Sequence, residues 1–343
     1  MDRVGIVDVG SYLPGRPINA DTLLGHELAN KGLASSPLLG PPATRHHVDR
    51  DETAGTMVEK AARPMFKRLG IDPAVSVDLV ITNVLLPDNP ITGCGAEIAQ
   101  RLGLQTEWII DLHNGGCGSF PYMLKLAQTI VDSGGAKTAL LCNVQNTAGR
   151  VFSQPEVRTR SHAVIAGDGA GVAYLKVSGD SPVLAVETRH RPEAVSDMGL
   201  ALEDGRKYWE PGSSEIDISF NKKNLGAILE RGNTIVPEVV RAVCARIDVT
   251  PEDIDILVTN QGNRVFLRNW RRALGINEGR HIDTFDRFGN LYGAGVPITL
   301  AQASRDGRLP DNALLVVAGF AHAGDFAAAA AVRWKASARC RAR

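Results

Sequence analysis

The sequence predicts an α/β protein built from two similar halves. Short runs rich in β-branched residues alternate with longer amphipathic stretches, a pattern typical of strands and helices that stack in layers. Three short motifs of the first half also return in the second half at a nearly constant distance. With 343 residues, of which 44% are apolar, the chain can form one large domain or two ordinary ones with a substantial core.

The first half supplies the clearest strand and helix patterns. Continuous apolar runs predict buried strands, and amphipathic stretches that end at glycine predict helices. The predicted strands cover residues 77–85, 108–112, 138–144 and 171–177. The predicted helices cover residues 53–70 and 118–135.

The second half repeats this plan. The echoed pairs are "DLVITN" (78–83) with "DILVTN" (255–260), "RLGL" (101–104) with "RALGI" (272–276), and "TALLC" (138–142) with "NALLV" (312–316). Their offsets of 177, about 172 and 174 residues indicate an internal duplication, although buried strands also resemble one another by chance. We therefore predict an N-terminal half at 1–177 and a C-terminal half at 178–343, with a functional site where the halves meet.

The composition excludes several classes of function. Acidic and basic residues balance at 38 each, so no basic excess points to nucleic acid and no charge block points to a membrane surface. The chain has no run of 18 apolar residues, and its first twenty residues lack the apolar region of a signal peptide. We therefore expect a cytoplasmic protein that binds neither nucleic acid nor membrane. The five scattered cysteines form no C-x-x-C pair, which fits reduced thiols and argues against zinc or a disulfide framework.

No cofactor motif occurs in the sequence. The glycine-rich stretch "GDGAG" (167–171) precedes a predicted strand, whereas a phosphate-binding loop follows a strand and opens a helix. We therefore expect neither a metal nor an organic cofactor.

One cysteine stands out by its setting. In "DLHNGGCGSF" (111–120), Cys117 lies among glycines, after a predicted strand and before a predicted helix. The N–H groups and dipole of a helix N-terminus favour a thiolate, so we expect a lowered thiol pKa at this position. The geometry also matches the strand–turn–helix elbow that carries the nucleophile of other covalent enzymes. The alternative is a small core cysteine, the role that suits Cys142 inside an apolar strand.

A nucleophilic cysteine needs polar partners from elsewhere in the chain. Two segments offer them, "TNQGNRVFLRNW" (259–270) and "DRFGNLYGAGVPITLAQA" (286–303). Each combines asparagine with glycine at the predicted start of a helix. Asparagines beside glycines usually form turns, so neither segment decides the function by itself.

Taken together, these segments resemble the thiolase-fold ketosynthase III family, the β-ketoacyl-acyl-carrier-protein synthase III-like enzymes, nearly from end to end. "TNQGN" (259–263) stands where the family carries a His-Gln-Ala-Asn motif. The other matching segments are the opening strand (5–16), the first helix entry (44–62), the nucleophile segment (111–120), the glycine-rich strand entry (166–175), the Gly-Asn motif (288–303) and the closing segment (319–334).

The resemblance implies a five-layer αβαβα sandwich of two duplicated halves, assembled as a homodimer. It also implies acyl transfer from a CoA or carrier-protein thioester to the active cysteine. In most members the acyl-enzyme then condenses with a malonyl thioester and releases carbon dioxide. A histidine and an asparagine stabilise the enolate that forms in this step.

Carried over to this sequence, the resemblance makes Cys117 the nucleophile and Asn290 the late asparagine, but the catalytic histidine position holds Asn260. An asparagine can donate a hydrogen bond, yet it cannot accept a proton and become a cation. We therefore expect weak decarboxylative condensation, with Asn260 still able to hold a carbonyl oxygen. Asn263 matches the family's structural asparagine, which supports the site without touching the reaction, and we expect it among the substrate-binding residues.

A histidine elsewhere offers a substitute base. His322 lies in "GFAHAGDF" (319–326), a segment that the family fills with glycines beside the cysteine. It could deprotonate a hydroxyl or amine nucleophile, with Asp325 as its orienting carboxylate. The alternatives are a histidine bonded only to backbone and a carboxylate on a surface loop. Because this loop is one residue longer than in the family, the backbone donor to the substrate oxyanion comes from Ala321, His322 or Ala323.

Other residues carry weaker predictions. His113 is a lesser candidate near the cysteine, and His162 has only the features of a loop histidine. The loop 84–93 resembles the one that shapes the family's acyl tunnel, so the residues predicted to contact an apolar acyl group are Leu85, Leu86 and Ile91. Three arginines are candidates for the tunnel mouth, namely Arg45, Arg264 and Arg268.

The region 26–45 has no aromatic residue, although family members that use CoA often carry a tryptophan there. This favours an acyl carrier protein over free CoA as the donor.

The sequence is compatible with three functions. The leading hypothesis is an acyltransferase of natural-product biosynthesis that loads an acyl group onto Cys117 and passes it to an oxygen or nitrogen of a small acceptor, without decarboxylation. The alternative is a decarboxylative ketosynthase III that forms a carbon–carbon bond with a malonyl thioester. The third is a non-catalytic partner subunit, which the retained cysteine disfavours.

Overall fold

The structure, a computed structural model, describes residues 3–19, 40–202 and 204–336. Cys340 and most of the segment 26–45 lie outside these ranges, so the prediction about the acyl donor that rests on 26–45 is not addressed. The four described cysteines are free thiols: Cys94, Cys117, Cys142 and Cys244. In the described ranges, no helix is both long and apolar enough to cross a membrane.

Strands and helices alternate along most of the chain. The strands are β1 (Val4–Tyr12), β2 (Ile18–Asn19), β3 (Thr44–Arg45), β4 (Leu79–Val84), β5 (Trp108–Asp111), β6 (Thr138–Gln145), β7 (Gly169–Val177), β8 (Ser181–His190), β9 (Met198–Leu202), β10 (Ile216–Phe220), β11 (Ile256–Thr259), β12 (His281–Ile282), β13 (Ala313–Ala321) and β14 (Phe326–Trp334). The helices are α1 (Ala54–Leu69), α2 (Gly95–Leu102), α3 (Ser119–Asp132), α4 (Ser161–Val164), α5 (Leu225–Ala245), α6 (Arg264–Leu274), α7 (Phe285–Phe288) and α8 (Gly295–Arg305).

The strands and helices predicted for the first half are confirmed to within a few residues. Helix α1 shows why its limits can be read from the sequence. The side chain of Thr53 accepts a hydrogen bond from the N–H of Thr56 at 3.1 Å and so caps the first turn. Gly70 ends the helix in the left-handed conformation, with a φ of +70°.

The main sheet has ten strands in the order β12-β11-β13-β14-β8-β1-β7-β6-β4-β5. The sheet consists of two sets of five strands, which from the centre outward are β1-β7-β6-β4-β5 and β8-β14-β13-β11-β12. In each set the first two pairings are antiparallel and the last two are parallel. The two sets join only where Gly5 pairs with Pro182 and Ile6 with Ser181.

The echoed sequence motifs fall on topologically equivalent strands, β4 with β11 and β6 with β13. This equivalence supports an internal duplication. The division at residues 177 and 178 stays a prediction; it falls in the turn between β7 and β8.

Helices cover the two strand sets in five layers, αβαβα, as the resemblance implied. Helices α3 and α8 form the middle layer, because their apolar residues share one core with strands of both sets. Helices α1 and α2 cover the outer face of the first set, and α5 and α6 cover that of the second. Strand β4 shows the alternation behind this packing, since Leu79 and Ile81 face the middle layer while Val80 faces the outer one.

A small two-stranded sheet stands apart from the main sheet. It is the antiparallel pair β9 and β10, in which Phe220 pairs with Met198. Both of these residues line a cavity that the two halves enclose.

Candidate active site

The cavity has a volume of about 290 Å³ and is lined by residues from both halves of the chain. The first half contributes Cys117 and Leu85, and the second contributes Asn260, Asn290 and His322. Four of the predicted catalytic residues therefore lie on one cavity. In the described ranges, no group of three or more His, Cys, Asp and Glu side chains could hold a metal ion.

Cys117 lies in a tight turn that only glycines permit. After β5, a single 3-10 turn at Gly116–Gly118 leads directly into α3. Gly116 has a φ of +46°, and a Cβ atom on it would lie 2.8 Å from the Cβ of Ala321. A Cβ on Gly319 would lie 2.4 Å from the carbonyl oxygen of Cys117. The glycines thus let the nucleophile turn pack against the end of β13.

The expected lowering of the thiol pKa is wrong. Burial raises the pKa of Cys117 to about 12, and the hydrogen bond from its own backbone N–H offsets this only in part. The helix N-terminus does not compensate for removing the thiolate from water. The thiol is therefore protonated near neutral pH, and its attack on a carbonyl requires a base.

His322 lies close to this turn and has a carboxylate partner. It occupies the turn between β13 and β14 with a φ of +50°, and its Nδ1 lies 2.8 Å from Oδ1 of Asp325. Its Nε2 lies 3.3 Å from the position that a Cβ on Gly116 would take. A carboxylate at Nδ1 favours the tautomer in which Nε2 accepts a proton. Asp325 therefore orients His322, and the alternative of an unengaged surface carboxylate does not hold.

The two predicted catalytic asparagines are held by backbone contacts. Oδ1 of Asn260 accepts a hydrogen bond from the N–H of Phe320 at 3.4 Å, and Oδ1 of Asn290 accepts one from the N–H of Tyr292 at 3.0 Å. The backbone N–H of Asn290 also donates to the carbonyl of Ile165 at 2.7 Å. Because the amide oxygens are engaged, the NH₂ groups are the ends available to a substrate oxygen.

Asn263 has a structural role at the edge of the cavity. Its Oδ1 accepts a hydrogen bond from the N–H of Phe266 at 2.8 Å and caps α6. The residue lines the cavity, but its acceptor atom already has a partner. The prediction that it supports the site fits this arrangement.

Several residues that were predicted to contact the substrate do not line the cavity of a single chain. Leu86, Ile91 and Ala323 are not among its lining residues. Ile91 is 92% exposed. Ala323 is buried, and its carbonyl accepts a hydrogen bond from Arg231 at 3.1 Å. Arg45 is also not at a tunnel mouth, since it is buried and donates to the carbonyl of Val164.

Two histidines for which the sequence carried only weak predictions, His113 and His162, line the cavity. His113 lies at the exposed end of the segment before Cys117. His162 lies on α4, with its Nε2 2.7 Å from Oδ1 of the buried Asp217. Asp217 lies on β10, 55 residues further along, so no local motif could have revealed this pair.

Comparisons with known proteins agree with the fold and the site. The family model described as 3-oxoacyl-[acyl-carrier-protein (ACP)] synthase III matches residues 110–192, and the model of its C-terminal part matches 244–334. The two models together match about half of the chain and include all four predicted catalytic residues. The chain belongs to the ketosynthase III family.

Known relatives of this ketosynthase III resemble it along nearly its whole length. A β-ketoacyl-[acyl-carrier-protein] synthase III of Xanthomonas campestris pv. campestris is 27% identical over 92% of this chain and 94% of its own. A solved synthase III structure from Thermus thermophilus has a TM-score of 0.82 at 23% identity, covering 97% of this chain and all of the other. A priming β-ketosynthase of a polyketide pathway also has a TM-score of 0.82, at 22% identity and 98% coverage of both chains.

Two features of the cavity wall decide where a proton can be accepted. Asn260 directly follows β11 and lines the cavity, and its amide cannot take up a proton. His322 lies on the same cavity and forms a His–Asp pair with Asp325 in the turn between β13 and β14.

Proposed function

We propose that this ketosynthase III transfers an acyl group from a thioester to an oxygen or nitrogen of a small acceptor through Cys117, without decarboxylation. The observation that carries the proposal is the His322–Asp325 pair beside the nucleophile turn, combined with Asn260 at the family's histidine position. A base beside the thiol serves acyl transfer, whereas stabilising an enolate requires the cation-forming group that is missing.

In the first step, Nε2 of His322 takes the proton of the Cys117 thiol. The sulfur attacks the thioester carbonyl and forms a tetrahedral oxyanion, to which we assign the NH₂ groups of Asn260 and Asn290 as donors. The oxyanion collapses, the bond to the donor's sulfur breaks, and the leaving thiolate receives the proton from His322. Cys117 then carries the acyl group as a new thioester.

In the second step, Nε2 of His322 takes a proton from a hydroxyl or amino group of the acceptor. The acceptor atom attacks the acyl carbonyl, and the bond to Cys117 Sγ breaks. The proton on His322 returns to the sulfur. The product is an ester or amide, and the thiol is regenerated without loss of carbon dioxide.

The donor in this proposal is an acyl-carrier-protein thioester, with CoA as the alternative. The names of the relatives, β-ketoacyl-[acyl-carrier-protein] synthase III, support a carrier protein. A role in natural-product biosynthesis is supported by the likeness to a polyketide-pathway priming β-ketosynthase.

The second candidate is the decarboxylative condensation with a malonyl thioester. The names of the curated relatives favour it, since they describe synthases of β-ketoacyl products. In this chain, the reaction would have to proceed with Asn260 or His322 in place of the family's histidine.

Measuring carbon dioxide release separates the two candidates. The protein receives a malonyl carrier-protein thioester with and without an acyl-thioester primer, and intact-mass spectrometry follows acylation of Cys117 in parallel. We expect acylated Cys117 and no release above that of the Cys117→Ala variant. Primer-dependent release would establish the ketosynthase reaction instead, and absence of any acylation would refute both.

We also propose a homodimer. Strand β5 is an edge of the main sheet, and its side chains Trp108 and Ile109 are 39% and 42% exposed. An exposed apolar edge strand offers unpaired backbone groups to a second copy. Light scattering should give the dimer mass for the wild type and a monomer mass for Ile109→Lys, whereas Val75→Lys, at an exposed apolar residue outside the sheet, should remain dimeric. A dimeric Ile109→Lys protein would contradict this interface.

A further inference from the structure

A second His–Asp pair faces the cavity and has no part in the steps above. Nε2 of His162 lies 2.7 Å from Oδ1 of Asp217, and the other oxygen of this carboxylate binds Arg160. Asp217 is only 4% exposed and the side chain of His162 is 13% exposed, so a buried carboxylate holds a histidine that reaches the surface of the cavity. A carboxylate at Nε2 favours a proton there, which makes Nδ1 the accepting nitrogen of the neutral ring.

This accepting nitrogen is left without a partner inside the protein. In the described part of the chain, Nδ1 of His162 makes no hydrogen bond, and it is not among the fully enclosed polar atoms that lack one. The surroundings of the ring are apolar, with Phe152 at 5.4 Å and Phe220 at 6.1 Å between ring centroids. A polar atom in such a wall loses free energy unless a ligand supplies its hydrogen bond.

The acyl group is the ligand that must meet this wall. Once it is bonded to Cys117, it occupies the cavity that Cys117 and His162 both line, whereas an acceptor needs only to reach the carbonyl carbon. Most of the remaining lining is apolar, including Met198, Phe220 and Ile228. An entirely apolar acyl group would leave the accepting nitrogen without a hydrogen bond.

We propose that His162, held by Asp217, is a specificity-determining residue that accepts a hydrogen bond from a hydroxyl or amino substituent of the acyl group. The substrate class is thus a small hydroxyacyl or aminoacyl thioester, and not a purely hydrocarbon one. This inference rests on the proposed loading of Cys117. A site built around such a hydrogen bond should prefer the substituted acyl group by about 10- to 100-fold.

The test is single-turnover acylation of Cys117, followed by intact-mass spectrometry. The probes are two pairs of N-acetylcysteamine thioesters, 3-hydroxybutyryl with butyryl and 3-hydroxybenzoyl with benzoyl. The proteins are the wild type, His162→Phe, Asp217→Asn, and His190→Phe as the matched control, because His190 lies outside the cavity. We expect the wild type and the control to acylate with at least one hydroxylated member about 10- to 100-fold faster than with its unsubstituted partner, and His162→Phe to bring this ratio close to one.

The ratio of the acylation rates with the two thioesters of a pair separates recognition of the substituent from effects on folding. A purely structural role of His162 would slow acylation by both thioesters alike. An unchanged ratio in His162→Phe would overturn the inference while leaving acyl transfer intact. The inference would also be overturned if the wild type showed no preference in either pair. It would likewise be overturned if His162→Phe changed only the transfer of the acyl group to an acceptor. Absence of acylation by all four thioesters would refute the proposed function together with the inference.

Discussion

At the residue scale, the chemistry depends on how far the Cys117 thiol is from being ionised. Its pKa of about 12 leaves very little thiolate at pH 7, so a base has to remove the proton during attack, and in the proposed mechanism that base is the nearby His322. His322 also adopts a positive φ, a conformation that costs a non-glycine residue free energy and is concentrated at functional sites.

Replacing His322 by alanine should slow acylation of Cys117 by about 10²- to 10⁴-fold at pH 7, the usual contribution of a general base. Without the base, the rate should follow the thiolate fraction and rise about tenfold per pH unit between pH 7 and 9, because the thiol pKa lies above this range. Single-turnover acylation measured against pH tests this expectation. A rate close to that of the His190→Ala control would exclude His322 as the base.

Replacing Asn260 by histidine should introduce decarboxylation. The side chain lies at the end of β11 on the cavity wall, and an imidazole there could become the cation that stabilises an enolate. We expect carbon dioxide release from a malonyl thioester to rise at least about 100-fold over wild type, the lower end of the usual contribution of an acid–base group. The Asn260→Gln variant, which also lacks a titratable group, should show no such rise; equal release from both variants would contradict the assignment.

The sequence motifs placed four catalytic candidates on one cavity, but they could not predict their electrostatics. The pKa of Cys117 depends on burial by distant segments, which the glycine setting of the turn does not encode. His162 was missed for a related reason, because its partner Asp217 lies on a hairpin strand that carries no repeated or recognisable motif.

At the scale of elements, the nucleophile turn is constrained by what it packs against. Gly116 precedes α3 and Gly134 follows it, with φ values of +46° and +79°. A Cβ on Gly116 would meet Ala321 at 2.8 Å, whereas a Cβ on Gly134 would meet nothing within 4 Å. The two ends of one helix therefore offer a comparison of backbone strain with and without a steric contact at the site.

The Gly116→Ala and Gly134→Ala variants should each lose at least about 1 kcal/mol of stability, because alanine is strained at a positive φ. Gly116→Ala should lose more than this, because its methyl group would also meet Ala321. Only Gly116→Ala should also lose acylation, since the added methyl group displaces the turn from the end of β13 or moves His322. Thermal unfolding and single-turnover acylation, measured on both proteins, check this. A Gly116→Ala enzyme as active as Gly134→Ala would show that close packing of the turn is dispensable.

The strands and helices of the main layers were predictable because their apolar periodicity is local. The β9–β10 hairpin was not, as its strands pair only with each other and pack over the cavity instead of joining the main sheet. The contact of loop 84–93 with the acyl group was predicted by analogy, and of the three residues named for it only Leu85 lines the cavity of a single chain.

At the scale of the whole molecule, the ten-stranded sheet unites two sets of strands with equivalent topology. The nearly constant offset between the echoed motifs predicted this equivalence, because each motif lies on a buried strand or at a helix end that occurs in both halves. Sequence periodicity alone could not predict the five layers, because they depend on α3 and α8 packing between the two sets of strands. The five-layer arrangement was predicted from the family resemblance.

The stability of the whole fold should depend on a buried histidine that is not among the residues lining the cavity. His281 on β12 is buried, its Nε2 contacts the hydroxyl of Thr259 at 2.9 Å, and desolvation, with a smaller effect of Arg271, lowers its pKa to about 3. Between pH 6.5 and 3 the unfolded chain therefore binds a proton at this histidine that the folded chain does not, so stability falls as the pH falls. From pH 6.5 to pH 5 the loss is about 2 kcal/mol.

Replacing His281 by glutamine should remove this dependence while keeping a hydrogen-bonding group near Thr259. We expect the fall in Tm between pH 7 and pH 5 to be smaller in His281→Gln than in the wild type by a few degrees, since 1 kcal/mol corresponds to roughly 2–4 °C for a large domain. Some dependence will remain, because burial also lowers the pKa of His47, to about 4. The exposed His190→Gln control should follow the wild type. Equal pH dependence in all three proteins would mean that His281 becomes protonated without unfolding, and that β12 opens at the edge of the sheet to admit water.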